Sequence, residues 1–169
     1  MIGGSTVPVG DAAILLVRLD DDRPRPALLE ALLRMVESDS LALLDFAVIT
    51  RRTARECTLT EVDAGDFALA GLALGAVGLI GMDDAAVLAG RVRIGGSAAI
   101  ILVEERADLS SAIDFEPLRR HVIDVRPVGA SAVNAVLQST PHHVRSATSR
   151  RRPRSCRSTR DSATAARAR

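Results

Sequence analysis

The feature that most constrains this chain is a run of uncharged residues, 67–82, interrupted by four glycines. Three of them, Gly71, Gly75 and Gly78, would lie near one side of a helix. Small residues at this spacing let two helix backbones approach closely, and in lipid they favour helix dimerisation. The segment can therefore be a short membrane element, a packing helix of a folded domain or a non-helical hinge.

The length of the segment and its acidic neighbours favour the packing helix. Its sixteen residues would extend about 24 Å as a helix, less than the roughly 30 Å hydrocarbon core of a membrane. Four glycines weaken an isolated helix by about 1 kcal/mol each relative to alanine, so tertiary packing must hold it. We predict a buried helix in which Gly71, Gly75 and Gly78 make a close helix contact, within the domain or across a dimer.

The composition is that of one domain with an aliphatic core. The chain has 169 residues, 47% of them hydrophobic, with three Phe and neither Trp nor Tyr. A length of this order is typical of a single domain. Because aromatic side chains that could stack on bases are almost absent, the domain is not expected to recognise single-stranded nucleic acid.

The charge divides the chain into an acidic body and a basic tail. Residues 1–141 carry 13 Arg against 20 acidic residues, a net charge of −7, whereas residues 142–169 carry nine Arg against one acid. Residues 139–169 are dominated by Ser, Thr, Arg, Ala and Pro, so we predict a disordered basic tail. Such a tail would bind nucleic acid only non-specifically, through charge. A shifted reading frame would produce the same composition.

The hydrophobic pattern predicts an α+β fold. Residues 12–19 form a continuous apolar run, which is typical of a strand buried on both faces. Residues 28–36 place leucines at helical spacing with charged residues opposite, the pattern of an amphipathic helix. The predicted β-α-β-β-α-β order consists of strands at residues 12–19, 41–50, 57–62 and 97–104 and helices at residues 28–36 and 67–82. This order is that of a ferredoxin-like sandwich.

A helix–strand–helix extension is predicted after the fourth strand. Its parts are a helical stretch from residue 108 towards residue 121, a strand at residues 122–126 and a helix at residues 130–137. Since two of the strands are apolar on both faces, we expect this extension or a second subunit to cover the second face of the sheet. The predicted organisation is a flexible N-terminus (1–10), a domain (11–138) and the tail (139–169).

Several segments resemble a family of short bacterial proteins of unknown function. They are DAAILLVRL at residues 11–19, LLDFAVITRR at residues 43–52 and GLIGMDDAAVLAGRVRIGGSAAIILVEE at residues 78–105. The resemblance extends over roughly residues 8–138 and implies a ferredoxin-like α/β core. Some relatives are labelled membrane proteins because of a glycine-rich apolar segment. The family has no established activity, so the resemblance implies no site residue.

Three polar or glycine-rich clusters have residue types that could bind a ligand. The acidic residues 20–22 would need convergent partners to hold a cation, and they are better explained as a solvated loop. Asp83 and Asp84 suit the start of a helix. Gly95 and Gly96 enter a strand instead of opening a helix, which is the wrong order for a phosphate-binding loop. We therefore predict no metal, cofactor or catalytic site at these positions.

A nucleophilic site could combine Cys57, His121 and Asp124, but nothing in the sequence brings them together. Cys57 lies in a predicted strand and is expected to be a buried core residue. Cys57 and Cys156 lie in unlike contexts, so no disulfide is predicted and a reducing cytoplasm is the expected location.

These observations predict a non-enzymatic protein that self-associates, most simply as a homo-oligomer, or binds a protein partner. One alternative is a membrane-peripheral protein that docks through residues 67–82. A second is a small-ligand-binding protein or enzyme with a pocket near His121.

Overall fold

The computed structural model describes residues 8–20, 25–62, 65, 67, 71–106, 116–139 and 154–157. Its strands are β1 (Ala12–Leu19), β2 (Leu41–Arg51), β3 (Glu56–Glu61), β4 (Ser97–Glu105), β5 (Val122–Val128) and β6 (Arg154–Arg157). Its helices are α1 (Pro26–Glu37), α2 (Met82–Ala89), α3 (Glu116–Arg119) and α4 (Ala130–Ser139). The predicted α+β class is confirmed.

The described strands form one antiparallel sheet with the order β5-β1-β4-β2-β3-β6. The two most apolar strands, β1 and β4, are neighbours near its centre, with Ala12 opposite Glu104 and Leu19 opposite Ser97. A strand in this position is buried on both faces, which explains why its sequence shows no alternation of polar and apolar residues.

Helices cover both faces of the sheet. On one face, Leu32 and Met35 of α1 and Leu118 of α3 pack against alternate residues of the central strands. On the other face, the packing side chains include Leu88 of α2 and Val133 of α4. The extension therefore contributes a helix to the second face, as predicted. The extension's first helix, predicted from residue 108, is described only over Glu116–Arg119.

The prediction that residues 67–82 form one helix is wrong for residues 71–81, which are irregular. Gly71 and Gly78 adopt φ values of 76° and 89°. These left-handed conformations suit glycine and interrupt a right-handed helix. Helix α2 begins at Met82, and the Gly81 amide donates to the Asp84 carboxylate at 3.1 Å. The spacing of the glycines therefore marks turns in a loop, not one face of a helix.

Two predictions about the C-terminal part also differ from the structure. Residues 154–157, within the predicted disordered tail, form strand β6, which pairs antiparallel with β3 and sets Cys156 opposite Cys57 in the backbone register. Cys57 is buried, as predicted, but it is disulfide-bonded, so the prediction of no disulfide is wrong. Most of the predicted tail lies outside the described residues.

Candidate functional site

A cavity of about 410 Å³ lies where β1 ends, α1 begins and the turn between α3 and β5 passes. Four of its lining residues are apolar: Val17, Leu19, Ala27 and Leu28. The other four are basic: Arg18, Arg25, Arg120 and His121. The cavity is thus an apolar pocket with basic residues around it.

Backbone hydrogen bonds fix the turn that carries His121. The Arg18 amide donates to the His121 carbonyl at 2.7 Å, and the His121 amide donates to the Leu118 carbonyl at 3.0 Å. The first bond ties the turn to β1, and the second closes the end of α3. Since Leu118 is itself buried in the core, His121 is held by the fold and not by a loose loop.

The beginning of α1 supplies the opposite wall. Pro26 occupies the first turn, where its fixed φ suits a helix start. Arg25 precedes it at the N-cap, makes no side-chain cap bond and forms an ion pair with Asp20. The first turn of α1 contains no acidic residue, although acids are favoured at this positive end of a helix dipole. Basic charge at this wall is therefore not offset within the helix.

The hypothetical Cys57–His121–Asp124 arrangement does not form. Cys57 lies in β3 and Asp124 in β5, which are four positions apart in the sheet, about 19 Å at the usual strand spacing. Cys57 is disulfide-bonded and so is not a thiolate nucleophile. The Asp124 carboxylate lies 3.1 Å from Arg126 and 3.8 Å from Arg91, which makes it part of a surface ion-pair group. Of the three residues, the pocket contains only His121.

Asp45 is a buried acid that the sequence analysis did not identify as important. It is 2% exposed and lies at a β-bulge, where Leu44 is the extra residue of β2 opposite β4. A bulge re-aims the side chains around it. The Phe46 amide donates to Asp45 Oδ1 at 2.9 Å, and the amides of Gly78 and Ile80 donate to Oδ2 at 3.1 Å and 2.8 Å. A single acid within an apolar strand was the available signal.

Burial raises the pKa of the Asp45 carboxyl above its ordinary value, because the charged form is separated from water. Backbone amides, that of Ile80 first among them, act in the opposite direction by stabilising the charged form. The net shift is upward. Asp45 therefore anchors the irregular segment of residues 71–81, which we call the glycine loop. Burial makes the charged form of its carboxyl group less favourable than in water.

The glycine loop also approaches the backbone of β2 closely. The amides of Gly75 and Ala76 donate to the carbonyls of Leu43 and Leu44 at 2.9 Å and 2.8 Å. A Cβ atom at Gly75 would lie 3.3 Å from a Leu44 methyl group and 3.4 Å from the Leu43 oxygen. The close contact at Gly75 is therefore between a loop and a strand within the domain.

The other two predicted contact glycines differ from Gly75. A Cβ atom at Gly71 would make an ordinary contact with Leu33 of α1 at 3.6 Å, and one at Gly78 would meet nothing within 4 Å. Neither glycine lies on a helix, so the predicted helix–helix contact is not formed by this loop. A role for these glycines in dimerisation stays a prediction.

The described residues contain no group of three or more acidic, His or Cys side chains arranged to hold a metal ion. Within the same residues, no helix combines the length and the hydrophobicity needed to cross a membrane. The basic pocket is the feature of the described structure that best fits a ligand site.

Comparison with known families identifies the family of the chain. The model of a family of unknown function, DUF6325, matches residues 8–144. The chain belongs to DUF6325. This result confirms the resemblance seen in the sequence, and the match contains every residue that lines the pocket. None of the curated proteins and none of the solved structures that were compared matches the chain.

The sequence analysis identified His121 but not the residues around it. Arg25, immediately before the proline that starts α1, and Arg120, beside His121, were the available signals. They come from parts of the chain about 95 residues apart, so only the tertiary fold shows that they share one cavity.

Proposed function

We propose that the protein binds a small organic ligand in the pocket beside His121. The observation that carries this proposal is a preformed cavity of about 410 Å³, a size within the range of small-molecule sites. Such sites combine an apolar lining with a few polar groups that orient the ligand. Val17 and Leu19 supply a buried apolar surface, and the basic residues supply the polar groups.

Binding without catalysis is the simpler role for this pocket. Nucleophilic catalysis needs a nucleophile and a base within hydrogen-bonding distance of each other. The lining residues within the described part of the chain include no Ser, Thr, Cys or acidic side chain. His121 could accept or donate a proton, but no lining residue of the described structure pairs with it as a nucleophile.

A pocket-filling variant tests this proposal. Ala27 is exposed and lines the cavity, so Ala27→Phe would occupy part of its volume without disturbing the core. Ala132→Phe, at an exposed position on α4, is the matched control. A thermal-shift screen of a small-molecule library should give ligands that stabilise the wild type and Ala132→Phe but not Ala27→Phe. Ligands that stabilise all three proteins equally would contradict the proposal.

We also infer a ferredoxin-like arrangement with an insertion. Strands β1 and β2 both run antiparallel to β4, which lies between them. Strands β4 and β5 both run antiparallel to β1, which lies between them. Two interlocked split βαβ units of this kind define the ferredoxin-like pattern, and β3 with the glycine loop and α2 would be the insertion. Nuclear Overhauser contacts that pair β1 with β2, and not with β4, would contradict this inference.

Self-association or binding of a protein partner is a second candidate function, from the sequence. The exposed large apolar side chains that favour it are Val77, Val87, Ile94, Val125 and Val136. The chain's own helices cover both faces of the sheet, which buries many of its apolar residues. This burial argues against self-association, because it leaves fewer apolar residues for an interface. Light scattering after size-exclusion chromatography should show a dimer. A strict monomer, unchanged by truncation after Gln138, would contradict this candidate.

Docking of residues 67–82 to a membrane surface has weaker support. Leu72 and Ile80 of this segment are buried in the domain, and Val77 is 49% exposed. The described large apolar side chains of this segment thus largely pack in the domain's own core. Flotation with anionic and neutral vesicles is the test, and absence of the protein from the vesicle fraction would exclude docking. A cytoplasmic location stays a prediction.

A further inference from the structure

We infer that the ligand of this pocket carries an oxyanion head group, a carboxylate or a phosphate, on an apolar body. This inference rests on the proposed function and specifies its ligand class. Among the described residues, three Arg and one His line the cavity, and none of these lining residues is acidic. The apolar lining residues supply the complementary surface for the body of the ligand.

The positive charge around the cavity is opposite in sign to the net charge of residues 1–141. Residues 1–141 have a net charge of −7, yet three of their 13 Arg line this one cavity. An acidic protein repels anions at long range, so a site for an anion must supply local positive charge.

Arginine has the geometry for this head group. Its planar guanidinium presents five N–H donors and can bind a carboxylate or a phosphate through two parallel hydrogen bonds. The ion pair of Arg25 with Asp20 engages part of one guanidinium and holds it at the pocket. Its remaining donors can still bind a ligand, and the start of α1 adds the favourable end of a helix dipole.

The apolar part of the ligand follows from the pocket's inner lining. Val17 and Leu19 are 1% and 5% exposed and lie on the face of β1 that packs beneath α1. Leu28 of α1 lines the cavity with them and is partly buried. The accessible apolar surface of the cavity comes from the exposed Ala27 and the partly buried Leu28, and an inorganic anion would leave it uncovered. An amphipathic molecule therefore fits better than free phosphate.

Titration calorimetry of the full chain with four probes tests the inference. The probes are octanoate, octyl phosphate, 1-octanol and inorganic phosphate. Octanoate or octyl phosphate should bind about tenfold or more tightly than 1-octanol, because only their charged head groups can accept charge-assisted hydrogen bonds from the arginines. The stronger of the two identifies the head group. Raising the salt concentration should weaken their binding.

Charge-removing variants locate the contact. Arg25→Gln and Arg120→Gln should each weaken binding of the anionic probe about tenfold. The control Arg52→Gln, at an exposed position outside the pocket, should not change it. The thermal unfolding midpoint of each variant shows that a loss of binding is not a loss of folding.

The outcomes separate this inference from the proposed function. Equal binding of 1-octanol and octanoate, abolished by Ala27→Phe and unaffected by the Arg variants, would overturn the oxyanion head group and leave a neutral-ligand pocket. Binding of inorganic phosphate as tight as that of octyl phosphate would overturn the apolar body. Absence of binding by all four probes would overturn the inference, while the library screen with Ala27→Phe still decides the proposed function.

Discussion

Removing the buried carboxylate of Asp45 should destabilise the protein and loosen the glycine loop. In Asp45→Ala the amides of Phe46, Gly78 and Ile80 lose their acceptor. The Phe46 and Ile80 amide bonds are buried, and an unsatisfied buried donor costs about 1–3 kcal/mol. Gly78 lies at an exposed position where water can replace the carboxylate, so its loss is about 0.5–1.5 kcal/mol.

The net cost is smaller than the sum of these three losses. Burial of the charged carboxylate is itself unfavourable, as its raised pKa indicates, and the substitution removes that penalty. We expect Asp45→Ala to lower the free energy of unfolding by about 1–3 kcal/mol. Asp45→Asn should lower the free energy of unfolding by less, because the side-chain carbonyl of Asn can still accept from the Ile80 amide. Some cost remains, because the side-chain NH2 group then faces the Phe46 amide, which is also a donor.

Urea unfolding at pH 7 measures this change, and hydrogen exchange shows where it occurs. Exchange should accelerate at residues 75–80 in Asp45→Ala but not in α1. Glu30→Ala is the control, since it removes an exposed ion pair with Arg34 and should cost under about 0.5 kcal/mol. An Asp45→Ala protein as stable as the wild type, with unchanged exchange in the loop, would refute the anchoring role of Asp45.

The pH dependence has a defined sign. Because the folded-state pKa of Asp45 is raised, the folded protein binds this proton more tightly than the unfolded chain does. The unfavourable contribution of the charged carboxylate is complete above the folded pKa and is relieved as the pH falls towards the ordinary value of 3.8. The stability difference between wild type and Asp45→Asn should therefore narrow as the pH rises from about 4 to 7. A difference that widens with pH would contradict the raised pKa.

Three further substitutions test other contacts. Gly78→Ala should cost about 1–2 kcal/mol in urea unfolding because φ is 89° there, although space is open around it; no loss would contradict the backbone argument. Arg51→Ala removes side-chain bonds to the carbonyls of Gly90 and Val92 and should cost about 1–2 kcal/mol, with faster exchange after α2; unchanged exchange would argue against it. Asn134→Ala breaks the reciprocal bonds with the Val9 backbone and should increase proteolysis of the N-terminus only; general proteolysis would indicate a wider role.

The central strands and α1 could be predicted from the sequence because their signals are local and strong. The continuous apolar runs of β1 and β4 are typical of buried strands, and the leucine spacing of α1 fits the helical period over the whole element. The glycine segment could not be predicted in this way. Its spacing fitted a helix, whereas Gly71 and Gly78 adopt left-handed conformations that periodicity does not report.

The candidate site was predicted only in part, for a related reason. His121 stood out because it is the single histidine of residues 1–141. The pocket around it forms where β1, α1 and the turn after α3 come together in the fold. No residue spacing in the sequence predicts that these three segments are neighbours. Asp45 and the disulfide at Cys57 likewise depend on contacts between residues that are distant in the chain.

The placement of β4 between β1 and β2 has a consequence for how the chain folds. Residues 12–19 obtain their central partner only when residues 97–104 are available. Until then β1 and β2 cannot complete the sheet, and their apolar edges remain open to pairing with other chains. Pairing over such sequence distances slows folding, because the loop must close before the contacts form. During synthesis, the sheet cannot form until β4 has been made. We therefore expect the chain to be prone to aggregation in the interval between the synthesis of β2 and that of β4.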